Sequence, residues 1–415
     1  MARIIGGIGT SHVPTIGVAY DKGRQDERAW QPLFEGYKAV AGWLAEQEPD
    51  ALVFFYNDHC TTLFFDCYPT FALGVGERFQ IADEGAGQRP LPPLKGDVDL
   101  QKHIAESLVN DEIDLSVFQG RPVDHGCASP LPLLWPHEPD WPGSIVPIAI
   151  NVLQYPLPTA RRCFRLGQAV RRAVESYPQD LRVVVVGTGG LSHQVHGERA
   201  GFNDTDWDMR FLDLFRDDPE ALLNMTHADY VRRGGAESVE QIMWLAMRGA
   251  LPGPLRELHR NYYLATSTAM AVTLYEQADG QQVRNAGEQA GVRRSAGNPQ
   301  LAGIEGLDGT YPFDIGVSHK ALTLNRFLWN LRKEDCRRRF HDDEEAAMAA
   351  AGLSDQEQSL VRSRDWIGLI RSGANFFAIE KFARTVGVSN LEMYAQMRGE
   401  TFEAFMQTRR VPEAR

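Results

Sequence analysis

Apolar residues in the first three-fifths of the chain alternate between short continuous runs and helically spaced sets. The continuous runs predict buried strands, and they lie at Ala2–Ile8, Ala51–Tyr56, Ile145–Ile150 and Arg182–Val186. Helical spacing predicts amphipathic helices at Pro32–Gln47, around Cys163–Ala173 and at Ala236–Arg248, and Tyr263–Tyr275 is β-rich. Strands that are apolar throughout and alternate with helices predict an α/β domain with a mostly parallel or mixed central sheet.

The pattern changes after residue 279. Glycine recurs between 280 and 308 with few large apolar residues, which predicts a linker. From residue 309 onward the periodicity is helical, and it predicts helices at Ala321–Arg332, Glu344–Ala351, Asp355–Ser363, Asp365–Ile370, Asn375–Val386 and Asn390–Arg398. We therefore expect a catalytic α/β domain at 1–279, a glycine-rich linker at 280–308 and a small all-α C-terminal domain at 309–415.

Charge and composition exclude several classes of protein. The 415 residues carry a formal net charge of −12, which argues against a nucleic-acid or anionic-membrane partner. The charge is uneven, because residues 315–415 carry a net +2 and the rest a net −14. We find no apolar stretch of membrane-spanning length and no signal segment. The five cysteines form no CxxC pair, so a reducing cytoplasm is the expected location.

Four of the eleven histidines follow a strand or a turn, which is where binding and catalytic residues concentrate. They are His12, His59, His125 and His193. Two histidines and one carboxylate with open positions suit a non-haem Fe(II) oxygenase. The pattern leaves the carboxylate open between Glu237 and Glu240, which lie on the same predicted helix. Gly187–Gly190 also follows a strand, but it matches neither GxGxxG nor a Walker motif.

Taken together, these motifs resemble a known family. Gly9–His12, Asn57–His59, Gly189–His193 and Glu240–Leu251 are similar to the catalytic β-subunit of the protocatechuate 4,5-dioxygenase family, the type II extradiol ring-cleaving dioxygenases. Gly309–Asp314, Asn375–Phe377 and Tyr394–Gly399 are similar to that family's small helical α-subunit. Both parts on one chain most resemble the members of the family that cleave gallate.

The resemblance implies a mononuclear Fe(II) held by His12, His59 and Glu240. It implies that His193 is the acid/base and that His125 is a further histidine on the oxygen side of the metal. Ser267 matches a position near the substrate carboxylate. Glu380 and Tyr394 match positions that a partner subunit presents to the ring hydroxyls, so a homodimer with composite sites is expected.

The resemblance also implies the reaction. Gallate and O2 are the expected substrates, and 4-oxalomesaconate is the expected product. Protocatechuate and a methoxylated relative such as 3-O-methylgallate remain open as alternative substrates. A zinc-dependent enzyme on the same His/His/Glu set and a non-catalytic binding protein on the same fold also remain open.

Overall fold

The computed structural model describes residues 1–85, 87–264, 266–278, 301–313, 317 and 320–408. Ten strands lie at Arg3–Thr10 (β1), Ala51–Tyr56 (β2), Phe71–Gly74 (β3), Arg78–Phe79 (β4), Leu94–Lys95 (β5), Ser116–Phe118 (β6), Ser144–Ile150 (β7), Arg182–Thr188 (β8), Leu255–Tyr263 (β9) and Met270–Gln277 (β10).

Ten α-helices accompany these strands, at Pro14–Asp21 (α1), Gln31–Gln47 (α2), Val98–Asn110 (α3), His125–Ala128 (α4), Leu131–Leu134 (α5), Ala160–Ser176 (α6), Thr205–Asp217 (α7), Pro219–Leu223 (α8), His227–Gly234 (α9) and Gln241–Ala250 (α10). Eight more follow in the C-terminal part, at Leu322–Asn330 (α11), Glu334–Asp342 (α12), Glu344–Ala350 (α13), Asp355–Ser363 (α14), Trp366–Arg371 (α15), Phe376–Thr385 (α16), Asn390–Met397 (α17) and Phe402–Gln407 (α18). Short 3-10 helices occupy Ala236–Glu240 and Ile304–Gly306.

Eight strands form one mixed sheet in the order β6-β3-β7-β2-β8-β1-β10-β9. The central strands β7, β2, β8 and β1 are mutually parallel, whereas β3 and β10 pair antiparallel at either side of this block. Side chains alternate between the two faces of the sheet, so Val53 and Phe55 enter one core while Leu52 and Phe54 enter the other. Helices α6 and α10 cover the first face and α2 covers the second. The predicted α/β class with a mixed sheet is confirmed.

The C-terminal part is all-helical, as predicted, and it packs directly on the sheet domain. One continuous apolar core contains Leu328 and Phe382 of the helical part together with Phe55 and Met243 of the α/β part. The first part of the predicted linker, residues 280–300, lies outside the described residues. Residues 301–313 contact the α/β part, and Tyr155 N donates a hydrogen bond to Phe313 O at 2.8 Å.

Most predicted element boundaries agree with the structure to within two residues, with two differences. Ala236–Arg248 is not one α-helix, because its first five residues form the 3-10 helix that ends at Glu240. Tyr263–Tyr275 spans the end of β9, a turn and most of β10. All five cysteines are free, and no helix in the described part of the chain has the length and hydropathy of a membrane span.

Candidate active site

Three neighbouring parallel strands deliver histidines to the same edge of the sheet. His12 follows the carboxyl end of β1, His59 follows that of β2, and His193 follows that of β8. Because β8 pairs in parallel with both β1 and β2, these three ends meet at one place. All three imidazoles are buried, with exposed fractions of 3–5%.

Glu240 lies at the centre of these histidines. Its Oε2 lies 3.5 Å from His12 Nε2 and 3.7 Å from His193 Nε2, and its Oε1 lies 4.0 Å from His59 Nε2. Gly190 N donates a hydrogen bond to Glu240 Oε2 at 2.7 Å. Burial alone would raise the pKa of the Glu240 carboxyl, but His12, with His193 and His59, holds that pKa well below its ordinary value.

The two glycines after β8 are required by this close packing. Gly189 has a φ of +139°, and a Cβ there would lie 3.0 Å from Glu240 O. A Cβ at Gly190 would lie 2.6 Å from His193 Cε1. The glycine-rich turn therefore lets the backbone approach Glu240 and His193, and these close contacts give its glycines a role in the site.

Hydrogen bonds fix the orientation of each imidazole. The Thr188 hydroxyl donates to Phe55 O (3.4 Å), so it accepts from His12 Nδ1 (2.9 Å). His59 Nδ1 donates to Asp124 Oδ2 at 2.8 Å, and His59 Nε2 accepts from Asn57 Nδ2 at 2.9 Å. In both rings the proton therefore lies on Nδ1. The lone pair of His12 Nε2 faces Glu240, whereas the lone pair of His59 Nε2 accepts the hydrogen bond from Asn57. Burial and the nearby His125 lower the pKa of His59, although Asp124 opposes them.

His193 is fixed by the same kind of contact. Its Nδ1 lies 2.8 Å from Leu191 O, and a carbonyl oxygen can only accept a hydrogen bond. The Nδ1 atom therefore carries a proton, and in the neutral ring Nε2 is the basic nitrogen.

His125 stacks on His59 with a centroid separation of 3.9 Å. Its Nδ1 donates to Glu84 Oε2 at 2.7 Å, and its backbone N donates to Glu84 Oε1 at 2.9 Å. Burial alone would lower the pKa of His125, but Glu84 outweighs it and raises that pKa to about 9. Ring nitrogens of His12, His59 and His125 lie within 4.8 Å of one another, which is close enough for these side chains to share a metal ion.

The two carboxylates left open by the sequence pattern point to different partners. Glu237 Oε1 accepts from His196 Nδ1 at 2.7 Å, whereas Glu240 faces His12 and His193. Sequence reasoning gave His196 and Glu84 no role, because neither stands in a motif. Each becomes visible only when the fold brings it to its partner.

The cavity over Glu240 has a volume of about 360 Å³, and every residue that the sequence singled out as a candidate lines it. Ser267 lies in its wall, and the chain's own helical part contributes Phe377, Glu380, Arg384 and Tyr394. The Phe377 ring packs against His59 with a centroid separation of 4.7 Å. Glu380 Oε1 accepts from Asn390 Nδ2 at 2.6 Å, and Glu380 Oε2 accepts from Lys381 Nζ at 3.1 Å.

Comparison with known proteins gives two family matches. Residues 6–273 match the catalytic LigB subunit of aromatic ring-opening dioxygenase, and residues 324–410 match the LigA subunit of the aromatic-ring-opening dioxygenase LigAB.

This chain is similar in sequence to two dioxygenases, and one solved structure also matches it. A gallate dioxygenase from Pseudomonas putida is 49% identical over 329 residues, which cover 79% of this chain and 96% of that protein. A 2,3-dihydroxyphenylpropionate/2,3-dihydroxicinnamic acid 1,2-dioxygenase from Photorhabdus laumondii is 32% identical over 44% of this chain and 54% of its own length. An uncharacterised protein from Escherichia coli K12 matches in structure with a TM-score of 0.41 and 14% identity, over 65% of this chain and 99% of its own.

Proposed function

This chain belongs to the LigAB-type aromatic ring-opening dioxygenases, and from that premise we propose that it is a non-haem Fe(II) enzyme that opens gallate with O2 to give 4-oxalomesaconate. The observation that carries the proposal is the meeting of His12, His59, Glu240 and His193 in one buried cavity that the helical part covers. Similarity to a gallate dioxygenase over most of both chains supports gallate as the substrate.

The donor set fits a divalent metal. His12 and His59 each have an unprotonated Nε2 within 4.0 Å of the Glu240 carboxylate, and a metal would replace Asn57 as the partner of His59 Nε2. Two neutral imidazoles and one carboxylate are the ligand set of Fe(II) oxygenases with open positions. We propose Glu240 rather than His125 as the third ligand, because Glu84 engages His125 while Glu240 faces both histidines. When bound, Fe(II) would hold adjacent ring hydroxyls and O2 together and let electrons pass between them.

The chain's own residues position the substrate and move its protons. His193 Nε2 is the basic atom that we propose takes a phenolic proton and returns it later in the reaction. His125, with a proton on each nitrogen, donates a hydrogen bond on the oxygen side. We propose that Ser267 receives the substrate carboxylate, and that Glu380 and Tyr394 contact the ring hydroxyls.

The assembly and location remain proposals. Glu380 and Tyr394 line the same cavity as His12 and His193 within a single chain. This cavity therefore has its own copy of both residues, and the homodimer with composite sites stays a prediction. The free cysteines support a reducing cytoplasm as the location.

Oxygen uptake tests the proposal. Protein loaded anaerobically with Fe(II) is given gallate or protocatechuate, and protein loaded with Zn(II) serves as the metal control. We expect rapid uptake with Fe(II) and gallate, at least tenfold slower uptake with protocatechuate, and none with Zn(II). Preference for protocatechuate would overturn the substrate assignment, and absence of uptake with both acids would return attention to the zinc and binding-protein alternatives.

A further inference from the structure

A second cavity, which we call the cationic pocket, lies beside the candidate active site. It has a volume of about 320 Å³, and its charged or titratable lining residues are Arg332, Arg337, His341, Lys381 and Arg384. Gly85, Leu331 and Thr385 complete the lining, so no acidic side chain is among the lining residues that the structure describes. Such a concentration of positive charge is unexpected in a chain whose net charge is −12.

The three arginines of this pocket form no close ion pair in the described part of the chain. Among the described residues, no carboxylate oxygen lies within 4.0 Å of the Arg332, Arg337 or Arg384 guanidinium. Arg337 Nη1 donates to Leu331 O and Arg332 O at 3.3 and 2.5 Å. Arg332 Nε is buried without a hydrogen-bond partner in the described part of the chain, and its guanidinium lies 5.1 Å from the Trp329 ring centroid. Lys381 pairs with Glu380.

Three carboxylates lie close to this lining, and one of them, Glu380, acts on both Lys381 and Arg384. Asp83 and Glu84 immediately precede Gly85, which is one of the residues that line the cationic pocket. Asp83 Oδ1 accepts from the backbone N of Gly85 and Gly87, and Glu84 pairs with His125. Because Glu84 is paired with His125 and Glu380 is paired with Lys381, the three arginines leave an excess of positive charge around the pocket. Such an excess attracts anions and raises their local concentration.

Arg384 connects this pocket to the active site. Its side chain lines both the cationic pocket and the cavity over Glu240. A ring-opened product leaving His193 and Glu240 on this side would therefore meet Arg384 first and the remaining cations next.

We propose that the cationic pocket is an exit subsite that binds the ring-opened polycarboxylate product. This inference rests on the proposed function. Ring opening breaks one C–C bond and places one oxygen atom of O2 on each of its carbons. In gallate both of these carbons carry a hydroxyl, so each becomes a carboxyl. The product therefore has three carboxylates where the substrate has one, and several arginines match it better than the substrate.

The inference is tested by titrating Fe(II)-loaded protein anaerobically with tricarballylate, a stable tricarboxylate, in a calorimeter. Benzoate and inorganic phosphate are the comparison ligands. We expect tricarballylate to bind at least tenfold more tightly than either. The variant Arg332→Gln should weaken tricarballylate about tenfold, whereas Arg332→Lys should remain within about threefold of wild type. Arg338→Gln, which changes an exposed arginine paired with Asp335 on α12, is the matched control and should change nothing.

Product inhibition gives a second measurement on the working enzyme. In Arg332→Gln the inhibition constant of the ring-opened product should rise about tenfold, while KM for the aromatic acid stays within about twofold. Equal tricarballylate binding in wild type and Arg332→Gln, or phosphate binding as tight as tricarballylate, would overturn the exit subsite. If the enzyme is active but one of these two results is found, the proposed function stands and the exit subsite is wrong. If the chain is inactive but binds tricarballylate through Arg332, the proposed function is wrong and the anion site stands.

Discussion

His193 is suited to act as a base because a backbone carbonyl decides which nitrogen carries its proton. Leu191 O accepts a hydrogen bond from Nδ1, so Nδ1 carries the proton and Nε2 is the basic atom. This Nε2 lies 3.7 Å from Glu240 Oε2. In the proposed ligand set this imidazole is not needed to hold the metal, since His12, His59 and Glu240 would supply three donors. Metal binding and proton transfer therefore depend on different residues, and substitutions should separate them.

The variants His193→Ala and Glu240→Ala test this separation. We expect His193→Ala to retain iron but to lose about 10²–10⁴-fold in kcat, the usual contribution of a positioned acid/base. Glu240→Ala should lose iron, because it removes the only anionic donor of the set. Iron content by elemental analysis and oxygen uptake on the same preparations distinguish the two effects. Full iron occupancy in Glu240→Ala would contradict the ligand set. Near-wild-type oxygen uptake in His193→Ala would show that His193 is not the base.

At this scale the sequence predicts residues that stand at strand ends. His12, His59 and His193 stand out because apolar runs end just before them. Periodicity alone does not choose between Glu237 and Glu240, because the helix begins as a 3-10 turn and helical spacing does not give the direction of either side chain; the family resemblance is what selects Glu240. Glu84 lies in an irregular loop, so nothing in the sequence connects it with His125.

At the scale of elements, one side chain holds two loops of the candidate site in register. Asn203 Nδ2 donates to Ser192 O at 2.7 Å and to Ser267 O at 3.0 Å. The first loop carries His193 and the second carries Ser267 in the cavity wall. Ser192 is further held by Asp208, which accepts from its backbone N at 2.7 Å and its hydroxyl at 2.6 Å. Asn203 is therefore a positioning residue for both loops.

We expect Asn203→Ala to lower kcat/KM for the aromatic acid about tenfold or more while iron content stays unchanged. It leaves Ser267 O without its donor, while Ser192 O keeps the backbone N of Ala269 at 3.1 Å, so the free energy of unfolding should also fall by about 1–3 kcal/mol. The surface variant Asn224→Ala is the matched control, because Asn224 caps α8 and contacts only Glu220 and Arg161 through the bonds of its side chain. Steady-state kinetics and urea unfolding measure both quantities. Lower stability with kcat and KM unchanged would reduce Asn203 to a structural role.

Sequence periodicity predicts elements well where burial is one-sided or complete. The fully apolar β2 and the helices α14 and α17 agree with the structure, because each has a strong local signal, and capping boxes at Ser354 and Ser389 begin the two helices. Helix α12 was not predicted, since its sequence is strongly charged and only Phe340 is buried. The division into domains at 279 and 309 stays a prediction, because the residues between them are largely outside the described part of the chain.

At the scale of the whole molecule, the α/β part and the helical part share one apolar core. Further contacts join them, including Arg398 Nη1 donating to Ala200 O at 3.1 Å and the Phe65 and Phe313 rings 4.5 Å apart. Because neither part buries its apolar face alone, we expect the chain to unfold as one cooperative unit. A buried group in either part should then affect the stability of the whole.

His227 is such a group, and it makes stability depend on pH. Its side chain is fully buried, its Nε2 donates to Pro158 O at 2.9 Å, and its Nδ1 has no partner among the described residues. Burial lowers the pKa of His227 to about 4, although the bond to Pro158 opposes the shift.

In the unfolded chain a histidine has a pKa of about 6.5. Above pH 6.5 both states are neutral. As the pH falls from 6.5 toward 4, only the unfolded chain takes up the proton, so acid favours unfolding.

The free energy of unfolding should therefore fall by about 1.4 kcal/mol per pH unit in this window from His227 alone, or about 2 kcal/mol by pH 5. His227→Gln retains a donor for Pro158 O but does not titrate, so its stability should decline less steeply than that of wild type between pH 6.5 and 4. His341→Gln changes an exposed histidine and should follow wild type. Urea unfolding at pH 7.5, 6.5, 5.5 and 4.5 gives the three curves. Parallel curves for wild type and His227→Gln would show that His227 is protonated in the folded protein, and the acid sensitivity would then belong to the buried carboxylates around the active site.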